Sequence, residues 1–142
     1  MSAEFMQRAI SLALENVRSG RGGPFAALVV KDGLVIAQGT NLVTATNDPT
    51  AHAEVVAIRE ACRALADFQL SGCDLYTTCE PCPMCLGAIY WARPAQLFYA
   101  GRDVGLGFSG TYEGDRAEVY GFSNVGRRTV SVHLKIWKLA DA

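Results

Sequence analysis

Apolar positions change period several times along the first hundred residues, and each change marks an element. Met6, Ile10, Ala13 and Val17 recur at helical spacing with Leu14 beside them. This spacing predicts an N-terminal amphipathic helix, with Ser2 placed to cap it and Gly20 to end it. Two apolar runs, Ala26–Val30 and Leu34–Gln38, then flank Lys31-Asp32-Gly33. Asp-Gly between such runs signals a β-hairpin. Asn47-Asp48-Pro49-Thr50 is turn chemistry, and Val55, Ile58, Cys62 and Leu65 behind it predict the buried stripe of a second long helix. Gly72 precedes a short strand in "CDLYTTC", and "AQLFYAG" reads as another. Between them Pro83 suits the first turn of a helix running to about Trp91, which Pro94 stops. Gly105 to Gly126 is rich in glycine and shows no clear period, whereas Arg127 to Trp137 predicts a last strand and the start of a short helix. Helix, hairpin, helix, strand, helix, strand is an α/β order, with helices expected on both faces of one sheet.

Composition narrows the class. A chain of 142 residues, half of them hydrophobic and 19% charged, suits a single domain over residues 1–142 with one sizeable core. Net charge is −1 and no dense run of Lys or Arg occurs, so no nucleic-acid partner is expected. No apolar run approaches the roughly twenty residues of a membrane helix, so no membrane partner is expected either. The stretch "MSAEFMQRAISLALENVRSG" is amphipathic and carries acid, unlike a signal or transit peptide. Five cysteines, an odd number, argue against a full disulfide framework. A cytoplasmic protein with some thiols on metal and others buried is the simpler expectation.

Two stretches carry the chemistry. In "TAHAEVVAIREA", His52 is followed two residues later by Glu54, and in "CEPCPMCLGAIYWARP", Cys82 and Cys85 form C-x-x-C. That spacing puts both sulfurs at the start of one helix, where the positive end of the dipole favours thiolate. His52, near the start of the preceding helix, can supply a third ligand. Two Cys and one His leave the fourth tetrahedral position open, the pattern of a catalytic zinc, which brings the pKa of a bound water near neutral. Glu54 can reach the same site without being a ligand and move protons there. The plainer readings are a redox C-x-x-C pair, half of a structural zinc site, a capping histidine and a solvated glutamate. Against them, no second, separate C-x-x-C pair occurs to complete a four-cysteine site, since Cys79 only overlaps the first pair through Cys82, and H-x-E followed by P-C-x-x-C is the zinc deaminase signature, present as His52-Ala53-Glu54 and Pro81-Cys82-Pro83-Met84-Cys85.

On these residues the chain resembles the cytidine deaminase-like superfamily. "GGPFAALVVKDG", "NDPTAHAEVVAIREAC" and "LYTTCEPCPMCLGAIYWARP" look like the bacterial guanine deaminases in particular, from about Phe5 to about Gly101. The resemblance implies a three-layer α/β/α fold with a mixed five-stranded sheet and a homodimer, often with an exchanged C-terminal segment. It implies zinc on His52, Cys82 and Cys85, with Glu54 as proton shuttle. It also implies that Phe25 and His52 sandwich a flat purine, that Asn41 bonds a polar ring edge, that the Ala53 N–H meets a ring carbonyl, and that Trp91 walls the pocket. Phe25 as core, Asn41 as a local strand end and Trp91 as packing are the alternatives. Cys62, Cys73 and Cys79 read as small buried apolar residues. Transfer-RNA adenosine deaminases share the zinc motifs but usually lack "PMCLGAIYWARP".

One departure from the guanine deaminases bears on substrate. They carry an aspartate pair after a Gly-Phe that reads the guanine edge, whereas "GLGFSGTYEG" has Ser109 and Gly110 there, and "KIWKLADA" stands without their aromatic tail. The expectation is a zinc-dependent aminohydrolase acting on a small heterocyclic amine, with guanine first. Cytosine, a nucleoside, a triazine or a pterin is the alternative. A catalytically silent zinc-stabilised binding module is the reading from another class, followed by a redox C-x-x-C protein.

Overall fold

The structure, a computed structural model, describes residues 3–101 in full, together with the backbone of residues 117–123, 126–132 and 135–138. Helix α1 (Ala3–Arg18) leads to a hairpin of β1 (Ala26–Lys31) and β2 (Leu34–Thr40). Asp32 and Gly33 both take positive φ, 50° and 76°, the paired left-handed turn that Asp-Gly was expected to form. A short helix α2 (Val43–Thr46), not foreseen in the apolar pattern, precedes α3 (Ala53–Leu65), β3 (Cys73–Cys79), α4 (Pro83–Ala92) and β4 (Gln96–Gly101). The backbone of β5 (Ala117–Ser123), β6 (Gly126–Val132) and β7 (Lys135–Lys138) follows. The short helix expected after the last strand is not formed there, because Lys135–Lys138 is extended and pairs with β4 in parallel. The Ser2 cap lies outside the described residues.

The main sheet has five strands in the order β2-β1-β3-β4-β7. β1 pairs antiparallel with both β2 and β3, whereas β3, β4 and β7 run parallel, so the sheet is mixed as expected. β5 and β6 form a separate antiparallel pair. Strand period separates the two cores. Leu28, Val30, Tyr76, Phe98 and Ala100 pack with Met6 and Ala9 of α1. Ala27, Val29, Leu75, Leu97 and Tyr99 face Ala53, Ala57 and Ala61 of α3 and Ile89 and Ala92 of α4. This is a three-layer α/β/α arrangement.

The face of α3 that meets the sheet differs from the one predicted. Val55 is buried as predicted, but the innermost residues are Ala53, Ala57 and Ala61, whereas Ile58, Cys62 and Leu65 are only partly buried at the margin. The cause is Gly39 of β2, where a Cβ would come within 2.3 Å of the Ala53 carbonyl oxygen and 2.5 Å of the Ala57 nitrogen. Backbone meets backbone, so only small residues fit between them. Of the cysteines read as buried apolar residues, Cys73 is fully buried, and Cys62 and Cys79 are half-buried.

Candidate active site

Two helix starts meet beyond the end of β3. At the first, Thr50 N and Oγ1 both donate to Asp48 Oδ1, at 2.8 and 2.7 Å, which closes the turn ahead of α3. Those bonds hold the exposed Asp48 carboxyl below its ordinary pKa. His52 is the N-cap of α3 in extended conformation, yet its side chain makes no capping bond. Its ring turns instead toward the second helix start. There Cys82 is the N-cap of α4 and its Sγ accepts from the Cys85 N–H at 3.5 Å, with Pro83 in the first turn, where its missing N–H costs nothing.

His52 Nδ1 lies 3.6 Å from Cys82 Sγ and 3.5 Å from Cys85 Sγ, and the three donor atoms all fall within 4.8 Å of one another. A tetrahedral zinc with ordinary Zn–S and Zn–N bond lengths puts its nitrogen and sulfur ligands about 3.6 Å apart. The donor set therefore fits zinc in kind and in spacing. Electrostatics within the thiol pair agrees with its use as a ligand set. A hydrogen bond from Cys85 holds the Cys82 thiol down to about 5, while the same contact, with burial and the Glu54 charge, pushes Cys85 up. A metal bound there would displace the remaining thiol proton.

Glu54 sits two residues into the same turn and is 6% exposed. Its Oε2 accepts from Cys85 Sγ at 3.3 Å, and its Oε1 accepts from Thr77 Oγ1 at 2.9 Å. Burial raises its pKa, opposed by the Thr77 and Cys85 hydrogen bonds. Thr77, 1% exposed, is a functional candidate that motif reading missed. The available signal was strand period, since Leu75 and Thr77 share the inward face of β3 and a threonine there needs a buried partner.

The other expected residues divide. Asn41 follows β2, its N–H donates to the Phe25 carbonyl at 3.2 Å, and Leu42 N donates to Ala51 O at 3.0 Å. These bonds bring Phe25 and Asn41 alongside the turn that presents His52. Phe25 is 39% exposed, as a stacking surface must be, and not a core residue. Asn41 Oδ1 accepts from Val43 N at 3.2 Å, the local bond weighed as its alternative. Ala53 opens α3, where an N–H has no carbonyl one turn back. Trp91 stands in the last turn of α4, nine residues and roughly 13 Å of helix beyond Cys82, and is 71% exposed, so within the single chain it lies away from the thiols. Ser109 and Gly110 lie outside the described residues.

A three-layer sheet domain whose Cys, Cys and His donors and buried glutamate converge at two helix starts belongs to the class of zinc-binding deaminase domains. Comparison with known proteins gives the family. Residues 1–101 match the cytidine and deoxycytidylate deaminase zinc-binding region, and the chain belongs to that family. Over 96 residues, 68% of the chain, it is 66% identical to guanine deaminase of Bacillus subtilis (strain 168). The X-ray structure of guanine deaminase from Bacillus subtilis superimposes with a TM-score of 0.70 at 63% identity, covering 72% of this chain and 66% of that one. A tRNA-specific adenosine deaminase of Agrobacterium fabrum is 50% identical over 80 residues, 56% of the chain. The match spans 62% of the length of the first relative and 53% of the last. The family match ends at residue 101, before Ser109 and Gly110. Among the described residues no helix is long and apolar enough to cross a membrane.

Proposed function

We propose that the protein is a zinc-dependent hydrolytic deaminase of a free nucleobase or related aminated heterocycle, with guanine, converted to xanthine and ammonia, first. The observation that carries this reading is the His52–Cys82–Cys85 donor triangle with the buried Glu54 carboxyl against Cys85. In this reading His52 Nδ1, Cys82 Sγ and Cys85 Sγ hold the metal. When bound there, zinc supplies the Lewis acidity that makes water a nucleophile near neutral pH. Glu54 takes the water proton on the oxygen that faces the thiols and delivers it to a ring nitrogen. It then takes the hydroxyl proton and gives it to the departing amine, which leaves as ammonia. Burial keeps this carboxyl dry and raises its pKa, the direction that suits a group that must both accept and donate. Phe25 and the His52 ring offer flat surfaces, and Asn41 and the Ala53 N–H offer polar contacts to a planar base.

A small substrate is favoured over a nucleic acid by the net charge of −1 and the lack of a basic run. The test is zinc content with ammonia release from guanine, cytosine, adenine, their nucleosides, aminotriazines, pterins and a transfer-RNA anticodon stem. One zinc per chain and release from guanine are expected. Zinc without release from any of these would leave only a zinc-stabilised binding module. In the Cys82→Ala variant, metal and turnover should be lost together, and full zinc occupancy there would overturn the ligand assignment.

We further propose a homodimer. Met84 and Trp91 are large apolar residues exposed on α4, one full heptad apart on one helix face with Gly87 and Ala88 between them. A monomer by sedimentation at micromolar concentration would count against it. A reducing compartment such as the cytoplasm suits five free thiols, and a disulfide in freshly isolated protein would contradict that.

A further inference from the structure

Asn16 stands on the buried face of α1, 1% exposed, in line with Met6, Ala9 and Ala13. A polar residue in that stripe calls for an explanation. Its Nδ2 donates to the Gly23 carbonyl at 3.0 Å and to the Asn41 carbonyl at 3.0 Å. Both neighbours are acceptors, so the amide orientation is set by them. Its Oδ1 is buried with no partner among the described residues. A residue serving packing alone would avoid that desolvation, since an apolar side chain of the same size fills the space without it. What the amide achieves is the joining of two segments. Gly23 begins the loop that ends in Phe25, whose N–H donates back to the Gly23 carbonyl at 2.9 Å, and Asn41 follows β2. Gly22 makes room for the junction, because a Cβ there would come within 2.2 Å of the Asn41 carbonyl oxygen and 3.1 Å of Asn16 Nδ2.

We infer that Asn16 is a positioning residue for the heterocycle. From the opposite face of the sheet it fixes the spacing between the Phe25 ring and the Asn41 side chain, and so sets binding of the base without touching it. This inference rests on the deaminase reading above. It touches neither the donor triangle nor Glu54. Loss of the clamp should therefore weaken binding in ground state and transition state alike, leaving the chemical step nearly intact.

The experiment uses the zinc-loaded full chain with guanine as probe and Asn16→Leu as variant, which keeps the branched shape and removes both donated hydrogen bonds. KM should rise about tenfold or more while kcat changes less than about threefold, with zinc content unchanged. In the ligand-free protein, amide hydrogen exchange at Asn41, whose N–H donates to Phe25, should accelerate. If Asn16→Leu fails to fold, Gly22→Ala opens the same junction from the other side and should show the same split. An active wild type whose KM is unmoved in a folded variant overturns the role of Asn16 alone. A zinc-loaded wild type that does not act on guanine overturns the guanine reading first, and this role with it. A fall in kcat at constant KM would place Asn16 in the chemical step and equally overturn the inference.

Discussion

Glu54 has two carboxyl oxygens in different surroundings, and that asymmetry suits the proton-moving role proposed for it. Oε1 rests on the Thr77 hydroxyl and Oε2 lies beside Cys85 Sγ, so only one oxygen looks toward the donor triangle. Thr77 Oγ1 is also 3.2 Å from the Cys79 carbonyl, which anchors the hydroxyl to the strand end. Glu54→Gln keeps shape and ligands but cannot take a proton. Zinc should remain while kcat falls roughly a hundredfold or more, the usual scale for lost acid–base catalysis. Thr77→Val should lower kcat about tenfold, equivalent to about 1.4 kcal/mol, and Thr77→Ser should restore most of it. Metal analysis and steady-state kinetics check both variants. A near-normal rate in Glu54→Gln would mean that another group moves the protons. The four residues of the signature were legible in the sequence because fixed spacing at a helix start imposes their geometry. Thr77 and Asn16 were not, because their partners lie 23 and 25 residues away in the chain and only tertiary contact joins them.

Among the elements, α3 carries both His52 and Glu54, so its docking on the sheet sets the site. That docking depends on Gly39, which lets the Ala53–Ala57–Ala61 edge approach the backbone of β2. Gly39→Ala must push α3 outward, because both facing atoms belong to backbone. The expected cost is about 1–3 kcal/mol, the range for overpacking a close core contact, read as a Tm lowered by roughly 3–10 °C. Zinc occupancy should fall with it, since the shift separates His52 from the two thiols. Thermal unfolding with metal analysis tests this, and an unchanged Tm with full zinc would show that α3 can settle elsewhere without loss. The same contact explains why the predicted stripe on α3, correct at Val55, was otherwise misplaced. Apolar periodicity ranks Val55, Ile58, Cys62 and Leu65 as the core face by size, whereas a glycine in the partner strand selects the smallest residues. In α1 the buried line runs through Met6, Ala9, Ala13 and Asn16, not through Ile10 and Val17. Hydrophobicity alone could not find it, because one of its members is polar. β7 was read as helix because four residues are too few to show a period.

For the whole molecule, the substrate contacts decide how the proposed zinc chemistry would be directed to one substrate. In the proposed reading Phe25 offers a flat surface and Asn41 and Ala53 offer polar groups, but where the resemblance implies an acidic pair to read guanine's amine and ring N–H this sequence has Ser109 and Gly110. Each buried donor left without an acceptor costs about 1–3 kcal/mol, which is a tenfold to hundredfold loss in kcat/KM per group. A site built around a missing partner discriminates poorly, whereas one that supplies it discriminates strongly. If no other acid serves, guanine should be turned over weakly relative to the relatives' chemistry, and its margin over cytosine should be narrow. Asp103, Glu113 and Asp115 are the nearest acids in sequence that could substitute. Measuring kcat/KM for guanine and cytosine in the wild type, in Ser109→Asp and in Gly110→Asp decides the matter. A gain of about tenfold or more for guanine alone in either aspartate variant supports the account. Efficient guanine turnover by the wild type, undiminished when Asp103, Glu113 and Asp115 are each changed to the amide, would sink it. The zinc site would stand, and the guanine edge would then be read by backbone or by a second subunit.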